Sequence, residues 1–350
     1  MNKPEKFVGI DIGSETFFAA IGAMENTGWK IIVRPTEFQN TVDQLPQFVG
    51  WLNKQNLTPK NCILCMEATG VYGEALAYFL VSQNYQVVVE PPLKVKRAFK
   101  VAGHKSDPVD SCQIAEYAYR FCDQLRFWQP QEEIYEQIKA LLTLREQCVV
   151  QRTAHKNANH ALKRKVVRTP LAERIHEQAI EELNHHIKEI EQEIEHLINQ
   201  DPPSKGLHKN IKSIPGIGSI LAVHFLVSMQ TAPDPYCPKN LAAYIGICPY
   251  EDSSGTSRHR LDTSRHYGPS AMRRLLYLAA MSAREHQPKF RQYFLRKVAE
   301  GKPKQLVINN IANKLLRIVC AVARTGNPYI EEYRSIHPDL LRIDLPLTVS

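Results

Sequence analysis

The order of strand and helix patterns in the first 125 residues constrains the fold of this chain most strongly. Three short apolar runs with brief links predict an antiparallel meander, at residues 7–12, 17–21 and 29–33. Helix and strand patterns then alternate, with helices predicted at 45–52, 73–82 and 109–121, and strands at 62–66 and 85–89. The order is therefore β-β-β-α-β-α-β-α, which indicates a mixed sheet with flanking helices.

This order is that of an α/β RNase H-like (RuvC-like) fold, in which the first and fourth strands are neighbours. Asp11 lies inside the first apolar strand, where a charge is costly unless it is paired or bound to a metal. Glu67 ends the fourth strand, and Asp107 and Asp110 open the helix that follows the fifth. Pro108 fits the first turn of that helix, with Asp107 as its N-cap. We expect the four carboxylates to converge.

Converging carboxylates repel one another unless a cation is present, and hard oxygen ligands select Mg²⁺ or Mn²⁺. A metal held in this way can bind a phosphodiester and stabilise charge during its displacement. Each residue also has a plain structural explanation: Asp11 as a turn cap, Asp107 as a helix cap, and Glu67 as a harmless strand end. Their joint occurrence at the matching fold positions favours the metal site.

The segment from about 131 to 200 is helical and densely charged, and glycine is absent between Gly103 and Gly206. Apolar residues spaced 3, 4, 3, 4 and 3 apart predict a coiled-coil seam, made of Ile180, Leu183, Ile187, Ile190, Ile194 and Leu197. The seam is shorter than three heptads. An intramolecular antiparallel pair with the helix predicted at 135–167 and an oligomer therefore remain equally open.

Residues 147–171 contain six basic residues and no acid: Arg152, Lys156, Lys163, Arg164, Lys165 and Arg168. A solvated helix face and a contact with a phosphate backbone explain this run about equally well. Lys163, Arg164 and Lys165 are the candidate contacts here.

Residues 201–206 are predicted to form a linker, and a mainly helical region follows. Ile214-Pro215-Gly216-Ile217-Gly218 before an apolar helix is typical of a helix-hairpin-helix. Gly216 and Gly218 would let backbone N–H groups approach a phosphate without regard to base identity. An ordinary turn between helices is the alternative.

The basic surplus of the chain is concentrated between Ser254 and Lys304, where twelve Lys or Arg and three acids give a net +9, against +8 for the whole chain. It adjoins a segment rich in hydroxyl groups, residues 252–260, predicted to be a flexible loop. A serine near several guanidinium groups could attack a phosphodiester. Such segments are more often plain loops, and His259 and His266 are isolated candidates for a base.

Taken together, these motifs resemble the DEDD-type insertion-sequence transposases, a family of bridge-RNA-guided serine recombinases that includes the pilin-gene invertase. The resemblance covers about Val8 to Pro328. Its N-terminal motifs are Gly9-Ile10-Asp11, Met66-Glu67-Ala68-Thr69-Gly70 with Tyr72, and Lys105-Ser106-Asp107-Pro108-Val109-Asp110. Its C-terminal motifs are residues 214–218, 243–249, Ser253-Ser254-Gly255, and Gly268 to Tyr277 with Arg273-Arg274.

The resemblance implies an enzyme that recombines DNA through a serine that becomes linked to the DNA. It assigns the metal-binding tetrad to Asp11, Glu67, Asp107 and Asp110, in a composite site with a serine from another subunit. The nucleophile becomes Ser254, and a shift of one residue would select Ser253; Thr256 and Ser257 share its chemistry. Further expectations are a dimer-to-tetramer assembly and a structured guide RNA. The predicted phosphate contacts near the serine are Arg258, His259, Arg260, Arg273 and Arg274.

We divide the chain into a RuvC-like domain (1–125), a coiled-coil domain (126–203), a serine transposase domain (204–332) and a tail (333–350). No run of about 18 apolar residues and no signal peptide is visible in the sequence. Cys62 and Cys65 are interpreted as reduced, half-buried thiols and not as a zinc site. The sequence thus predicts a cytoplasmic, nucleoid-associated bacterial protein.

Three functions remain open at this level: an RNA-guided serine recombinase, a metal-only RuvC-like nuclease such as a Holliday-junction resolvase, and a nucleic-acid-binding protein without catalysis. The region beyond the nuclease fold, with its own basic surplus, argues against the second. Four placed carboxylates argue against the third, because acids weaken DNA binding unless a metal offsets them.

Overall fold

A computed structural model describes residues 5–99, 107–232, 234, 236–254, 258–264 and 268–331, with the backbone alone at 249–254 and 258–264. The chain forms two compact units, Met1–Pro130 and Gln131–Ser350. The division into three domains and a tail stays a prediction.

The first unit is built on a five-stranded mixed sheet, in the order β3-β2-β1-β4-β5. Its strands are β1 (Lys6–Ile12), β2 (Thr16–Glu25), β3 (Gly28–Gln39), β4 (Cys62–Glu67) and β5 (Gln86–Glu90). β1 runs antiparallel to β2 and parallel to β4, and β4 is parallel to β5. This is the RNase H-like arrangement, so the predicted fold class is confirmed.

Four helices flank this sheet: α1 (Leu45–Lys54), α2 (Glu74–Ser82), α3 (Pro92–Ala98) and α4 (Asp107–Arg120). A 3₁₀ turn, Gly70–Gly73, precedes α2. Sequence reasoning missed α3, because Pro91-Pro92 indicated only the end of a strand. Proline at the first position of a helix loses no hydrogen bond, so Pro92 can begin α3.

The sheet buries side chains on both faces. One face carries the larger core, which includes Phe17 of β2 and Phe48 of α1. The other face packs against α4 through a core that contains Phe7 and Tyr117. The central strands are therefore almost wholly apolar, which explains why their runs were recognisable in the sequence.

Cys62 and Cys65 belong to different faces of the sheet. Cys62 lies in the larger core and Cys65 in the core beneath α4, and both are fully buried, not half-buried as the sequence predicts. Residues three apart on a strand point in opposite directions, so the two thiols cannot share a metal. Burial raises the pKa of Cys62 to about 12, which keeps its thiol protonated.

The second unit begins with two antiparallel helices, α5 (Glu133–Lys163) and α6 (Pro170–Gln200). Ile187, Ile190, Ile194 and Leu197 are buried, and they share one core with side chains of α5. An ion pair between Arg145 and Glu191 spans the two helices. The apolar seam of α6 therefore packs against α5 of the same chain.

The predicted linker at 201–206 is wrong, because α7 (Pro202–Lys212) begins there. The Asp201 carboxylate caps this helix by accepting a 3.0 Å hydrogen bond from the Ser204 N–H. Ser204 is buried, and its hydroxyl lies 2.8 Å from the Tyr135 hydroxyl. The two prolines start a helix here instead of breaking the chain into a loop.

The remaining elements are α8 (Ser219–Thr231), α9 (Pro238–Ile245), β6 (Pro249–Ser254), β7 (Arg258–Ser264), α10 (Ser270–His286), α11 (Pro288–Ala299) and α12 (Lys304–Thr325). Among the described residues, α12 alone is long and apolar enough to span a membrane, although the sequence predicts no span. Its apolar face, with Ile311, Leu315 and Val319, lies in the core of the second unit. Helices buried in a protein core share this length and composition.

Candidate active site

The positions of Asp11 and Glu67 follow from the register of two parallel strands. β1 pairs with β4 with Gly9 opposite Cys65 and Ile10 opposite Met66. Asp11 and Glu67 come next on each strand, so they are level with each other at the strand ends. Neighbouring residues in register point to the same side of a sheet. The fold thus brings the first two predicted carboxylates together, each half-buried.

Gly9 allows α4 to lie directly on β1. A Cβ atom at this position would overlap the backbone oxygen of Ser111 and the backbone nitrogen of Ala115. Ser111 is buried, and its hydroxyl donates a 2.8 Å hydrogen bond to the Pro108 carbonyl in the first turn of α4. The close approach holds the N-terminal turn of α4 against the strand that carries Asp11. Sequence reasoning missed this role, for which a glycine inside a strand is the available signal.

Asp107 and Asp110 both lie in the first turn of α4, which begins at Asp107 itself. The sequence placed Asp107 one position earlier, as the cap, which is within the usual uncertainty of helix boundaries. Asp107 is exposed and Asp110 is half-buried. Acidic residues are favoured at a helix N-terminus, because the helix dipole is positive there.

The four predicted carboxylates are electrostatically coupled. The pKa of Asp11 is raised from 3.8 to about 6. Burial is the largest cause, and the negative charges of Asp110, Asp107 and Glu67 account for the rest of the rise. A hydrogen bond from the Ile12 backbone opposes part of the shift. The fold therefore keeps a carboxylate at the end of β1 in a place where its charge is unfavourable without a cation.

The donor set fits a divalent metal, since four carboxylates supply hard oxygen ligands and an excess of negative charge. Across the ranges that the structure describes, no three His, Cys, Asp or Glu side chains already stand in an ion-binding cluster. Binding would therefore require the carboxylate side chains to turn towards a common point. The fold fixes the backbone positions of Asp11, Glu67 and Asp110 before any metal binds.

A fifth carboxylate, Glu90, lies beside this group and was not predicted. It is opposite Glu67 in the pairing of β4 with β5, and it is only 6% exposed. Its carboxylate accepts a 2.7 Å hydrogen bond from the Lys94 ammonium of α3. The pair keeps a buried charge next to Glu67 neutralised. Lys96 and Arg97 on the same short helix are exposed.

The predicted hydroxyl-rich loop is instead part of a β-hairpin. Ser254 ends β6 opposite Arg258 of β7, and Ser253 lies opposite His259. Arg260 is opposite Asp252 in the same ladder. The sequence indicated a loop because serine and aspartate have low strand propensity. Thr256, Ser257 and His266 lie outside the described residues.

Arg273 and Arg274, near the start of α10, both have protein partners. Arg273 Nη1 donates to the carbonyls of Ile245, at 3.0 Å, and Gly268, at 2.8 Å. It therefore joins the start of α10 to the end of α9. Arg274 forms an ion pair with Glu146 of α5, at 2.6 Å. These structural roles were not visible in the sequence, and the phosphate contacts of both arginines stay predictions.

The two glycines of the predicted helix-hairpin-helix differ in their surroundings. Gly216 has a φ of +88°, and a Cβ there would lie 2.7 Å from the Ala279 carbonyl oxygen of α10. Packing alone therefore explains why glycine is present at this position. Gly218 is the N-cap of α8, is exposed, and faces open space. Of the two, Gly218 is the better placed for a phosphate.

The basic run on α5 is partly neutralised by α6. Lys163 pairs with Glu177 at 2.7 Å, and Arg168 pairs with Glu173. Arg164 and Lys165 are exposed in the turn between the two helices. Of the three candidate contacts in this run, Arg164 and Lys165 are therefore the more available to a nucleic acid.

Two transposase family models match the chain. The first, a DEDD transposase model, matches residues 8–165, and the second, described as the transposase IS116/IS110/IS902 family, matches residues 208–295. The first match contains all four candidate carboxylates, and the second contains the β-hairpin.

Two similar proteins cover most of the chain, and a third covers less than half of it. The pilin gene-inverting protein of Moraxella bovis is 28% identical over 326 residues, which is 92% of this chain and 97% of that protein. Its counterpart in Moraxella lacunata is 27% identical with the same coverage. An uncharacterized 43.6 kDa protein of insertion element IS110 from Streptomyces coelicolor is 29% identical over 40% of this chain and 33% of its own length.

Among solved structures, Thermus thermophilus RuvC matches with a TM-score of 0.29 and 13% identity, over 35% of this chain and 99% of its own. RuvC in complex with a Holliday junction substrate gives a TM-score of 0.28 and 11% identity, over the same shares of both chains. These values are low, so the fold assignment rests on the strand order described above.

An RNase H-like sheet in the first unit, together with two transposase family models that match the chain, defines a DNA recombinase of the transposase class. The chain belongs to the DEDD-type insertion-sequence transposase family. Both matching models carry the name of the insertion element IS110. Proteins of this fold and family generally use divalent metal ions.

Proposed function

We propose that this protein is an RNA-guided DNA recombinase of an insertion sequence that cuts and rejoins strands through a covalent serine–DNA intermediate. The observation that carries the proposal is the half-buried Asp11, whose pKa is raised to about 6 by burial and by Asp110, Asp107 and Glu67. Such a costly arrangement is retained where chemistry needs it. The serine route is supported by the family membership and by the serines at the end of β6.

Asp11, Glu67, Asp107 and Asp110 would hold the metal, which we take to be Mg²⁺, with Mn²⁺ as the substitute. When bound, Mg²⁺ supplies positive charge that offsets negative charge on a scissile phosphate. The carboxylates would turn inward on a backbone already set by Gly9 and by the ends of β1 and β4.

The Ser254 hydroxyl oxygen would attack phosphorus in line with the scissile bond. The serine proton passes to a base, a serine–phosphorus ester bond forms, and the bond from phosphorus to the oxygen of the displaced strand breaks. That oxygen takes up a proton from an acid or from water, so the displaced strand leaves with a hydroxyl group. A hydroxyl of the exchanged strand then attacks the ester, which releases the serine and restores a phosphodiester. Arg258, His259, Arg260, Arg273 and Arg274 would contact phosphate.

The partners in this proposal are target DNA, donor DNA and a structured guide RNA whose base pairing selects the sites. The assembly would be a dimer or tetramer, in which the serine of one subunit completes the carboxylate site of another. Support comes from the family membership, the net +9 between Ser254 and Lys304, and the exposed Arg164 and Lys165. The protein would act in the bacterial cytoplasm on the nucleoid.

The test is a denaturing gel of the protein with Mg²⁺, labelled junction DNA and RNA transcribed from the flanks of the element. We expect a protease-sensitive protein–DNA adduct in wild type that Ser254→Ala and Asp11→Ala both abolish. Ser253→Ala should still form the adduct. If Ser253→Ala abolished the adduct and Ser254→Ala did not, the nucleophile would be Ser253.

A metal-only nuclease or Holliday-junction resolvase is the second candidate, because all four carboxylates come from the first unit. It predicts metal-dependent cleavage without an adduct, equal in wild type and Ser254→Ala. That result would exclude the serine route.

A further inference from the structure

A groove between α11 and α12 in the second unit takes no part in the proposed chemistry. Its volume is about 800 Å³, within the usual range of ligand-binding clefts. The helix on one side of it, α11, has no buried residue along its whole length. The groove therefore presents an unusually open helix face on a unit whose other helices bury apolar residues.

Three aromatic side chains line this groove: Phe290, Tyr293 and Tyr329. Each is half-buried and packs against the core of the second unit, which fixes its position. The Lys314 ammonium lies 4.6 Å from the centre of the Tyr293 ring, and the Arg296 guanidinium carbon lies 5.8 Å from it. Flat apolar surfaces and cations are thus interleaved at close range.

The charge of the groove is strongly positive. Among the described residues that line it, the cations are Lys289, Arg296, Lys314 and Arg317, and the one acid is Glu331. Arg296 also lies 3.9 Å from the Glu300 carboxylate. All four cations are exposed. Lys289 donates a 2.9 Å hydrogen bond to the Glu331 backbone oxygen and not to its carboxylate. This balance is complementary to a polyanion, and cations beside aromatic rings are suited to phosphates linked to flat bases.

Bases inside a duplex are stacked on their neighbours and cannot reach an aromatic side chain, so the groove fits unpaired nucleotides. Three of the lining residues, Gln287, Gln292 and Glu331, carry hydrogen-bond acceptors that match the donor of a ribose 2′-hydroxyl. A carboxylate is otherwise unfavourable beside a phosphate backbone. Deoxyribose has no such donor, so these acceptors favour RNA over DNA.

We propose that the groove binds an unpaired segment of single-stranded RNA. Bases stack on Tyr293 and its aromatic neighbours, and phosphates bind Lys314 and Arg317. The inference deepens the proposed function by assigning a contact surface to its RNA partner, and in that respect it rests on it.

The experiment measures binding of the full-length protein to a fluorescent single-stranded RNA of mixed sequence over a range of salt concentrations. The same sequence as single-stranded DNA, and as duplex DNA, provides the two comparison ligands. The test variants are Tyr293→Leu and Lys314→Gln. The matched controls are Tyr236→Leu and Lys188→Gln, since Tyr236 and Lys188 are exposed residues away from the groove.

We expect Tyr293→Leu to weaken RNA binding about tenfold, as expected for the loss of one stacked base, without changing the salt dependence. Lys314→Gln should weaken binding and reduce the slope of log affinity against log salt by about 0.7. The controls should bind like wild type, and duplex DNA binding should be the same in every variant.

The proposal would be overturned if both test variants bound RNA as tightly as wild type. It would also be overturned if the variants lost affinity for duplex DNA as much as for RNA. Equal affinity of the wild type for single-stranded RNA and DNA would overturn the choice of RNA. The adduct assay compares wild type with Ser254→Ala, and the groove is intact in both proteins. An adduct in wild type together with unchanged RNA binding in the groove variants would therefore leave the serine route standing and overturn only the groove proposal. If wild type formed no adduct while both test variants bound RNA more weakly, the serine route would be overturned and the groove proposal would stand.

Discussion

At the scale of single residues, Asp11 opposes folding and serves the proposed chemistry. Its pKa is 3.8 without the fold and about 6 within it, so the folded protein binds the proton more tightly. Stability contributed by this group is therefore present at low pH and is lost as the pH rises between those two values. Above about pH 6 the full penalty applies unless a cation offsets it.

We predict that Asp11→Asn raises the melting temperature at pH 8 in chelator by a few degrees, because it removes an unfavourable charge. The gain should shrink as the pH falls from 6 towards 4. Added Mg²⁺ should stabilise the wild type and leave the variant unchanged. Thermal melts with and without Mg²⁺ across this pH range measure both effects.

Asp43→Asn is a suitable control for this measurement. Asp43 is exposed, and hydrogen bonds, first from Thr41 and then from Gln44, lower its pKa. Its replacement should give no gain at pH 8. A lower melting temperature for Asp11→Asn than for wild type in chelator would contradict the prediction.

At the scale of elements, the contact between β1 and α4 decides the geometry of the carboxylates. A methyl group at Gly9 meets the backbone of α4 and not the flexible end of a side chain. We predict that Gly9→Ala costs about 2–4 kcal/mol in the free energy of unfolding and also weakens metal binding. Chemical denaturation and a Mg²⁺ titration of the melting temperature provide the two measurements.

Gly50→Ala is the matched control, because Gly50 lies inside α1 and a Cβ there meets nothing within 4 Å. Alanine should stabilise that helix by about 0.5–1 kcal/mol. If Gly9→Ala were as stable as Gly50→Ala, α4 would not depend on this close approach.

Most elements could be predicted from periodicity, because the central strands of the first unit are buried on both faces and α6 has a regular apolar stripe. The sequence predictions were wrong where the local residues are compatible with two different structures. Pro92 and Pro202 each start a helix, although the sequence indicated a strand end and a linker. Ser253 and Ser254 lie on a strand because of long-range pairing with β7, which local propensity does not encode.

The same limit applies to the candidate site. The residue types of Asp11 and Glu67 could be recognised because charges stand out at the ends of apolar strands. The role of Gly9 and the pairing of Glu90 with Lys94 depend on contacts between distant segments. Such contacts leave little trace in one sequence.

At the scale of the whole molecule, the chain separates its candidate chemistry between two units. β1 to β5, α1 to α4 and both of their cores lie within Met1–Pro130. Ser254 and the hairpin lie within Gln131–Ser350. A compact unit with its own core is expected to fold alone.

We predict that residues 1–130 produced alone unfold cooperatively and gain melting temperature on addition of Mg²⁺. Asp11→Asn in this fragment should abolish the gain, and the fragment should form no adduct with DNA. Circular dichroism melts and the denaturing gel test these points. A fragment without a cooperative transition would show that the second unit is needed for folding.

The contact at Gly9 also has a consequence for how this protein can change over generations. Every codon that replaces glycine adds at least one carbon atom, and here that atom collides with the helix that carries Asp107 and Asp110. A change at Gly9 therefore harms the architecture and the chemistry in a single step. Substitutions on the exposed basic surfaces can change one property at a time, whereas a substitution at Gly9 lowers stability and metal binding together.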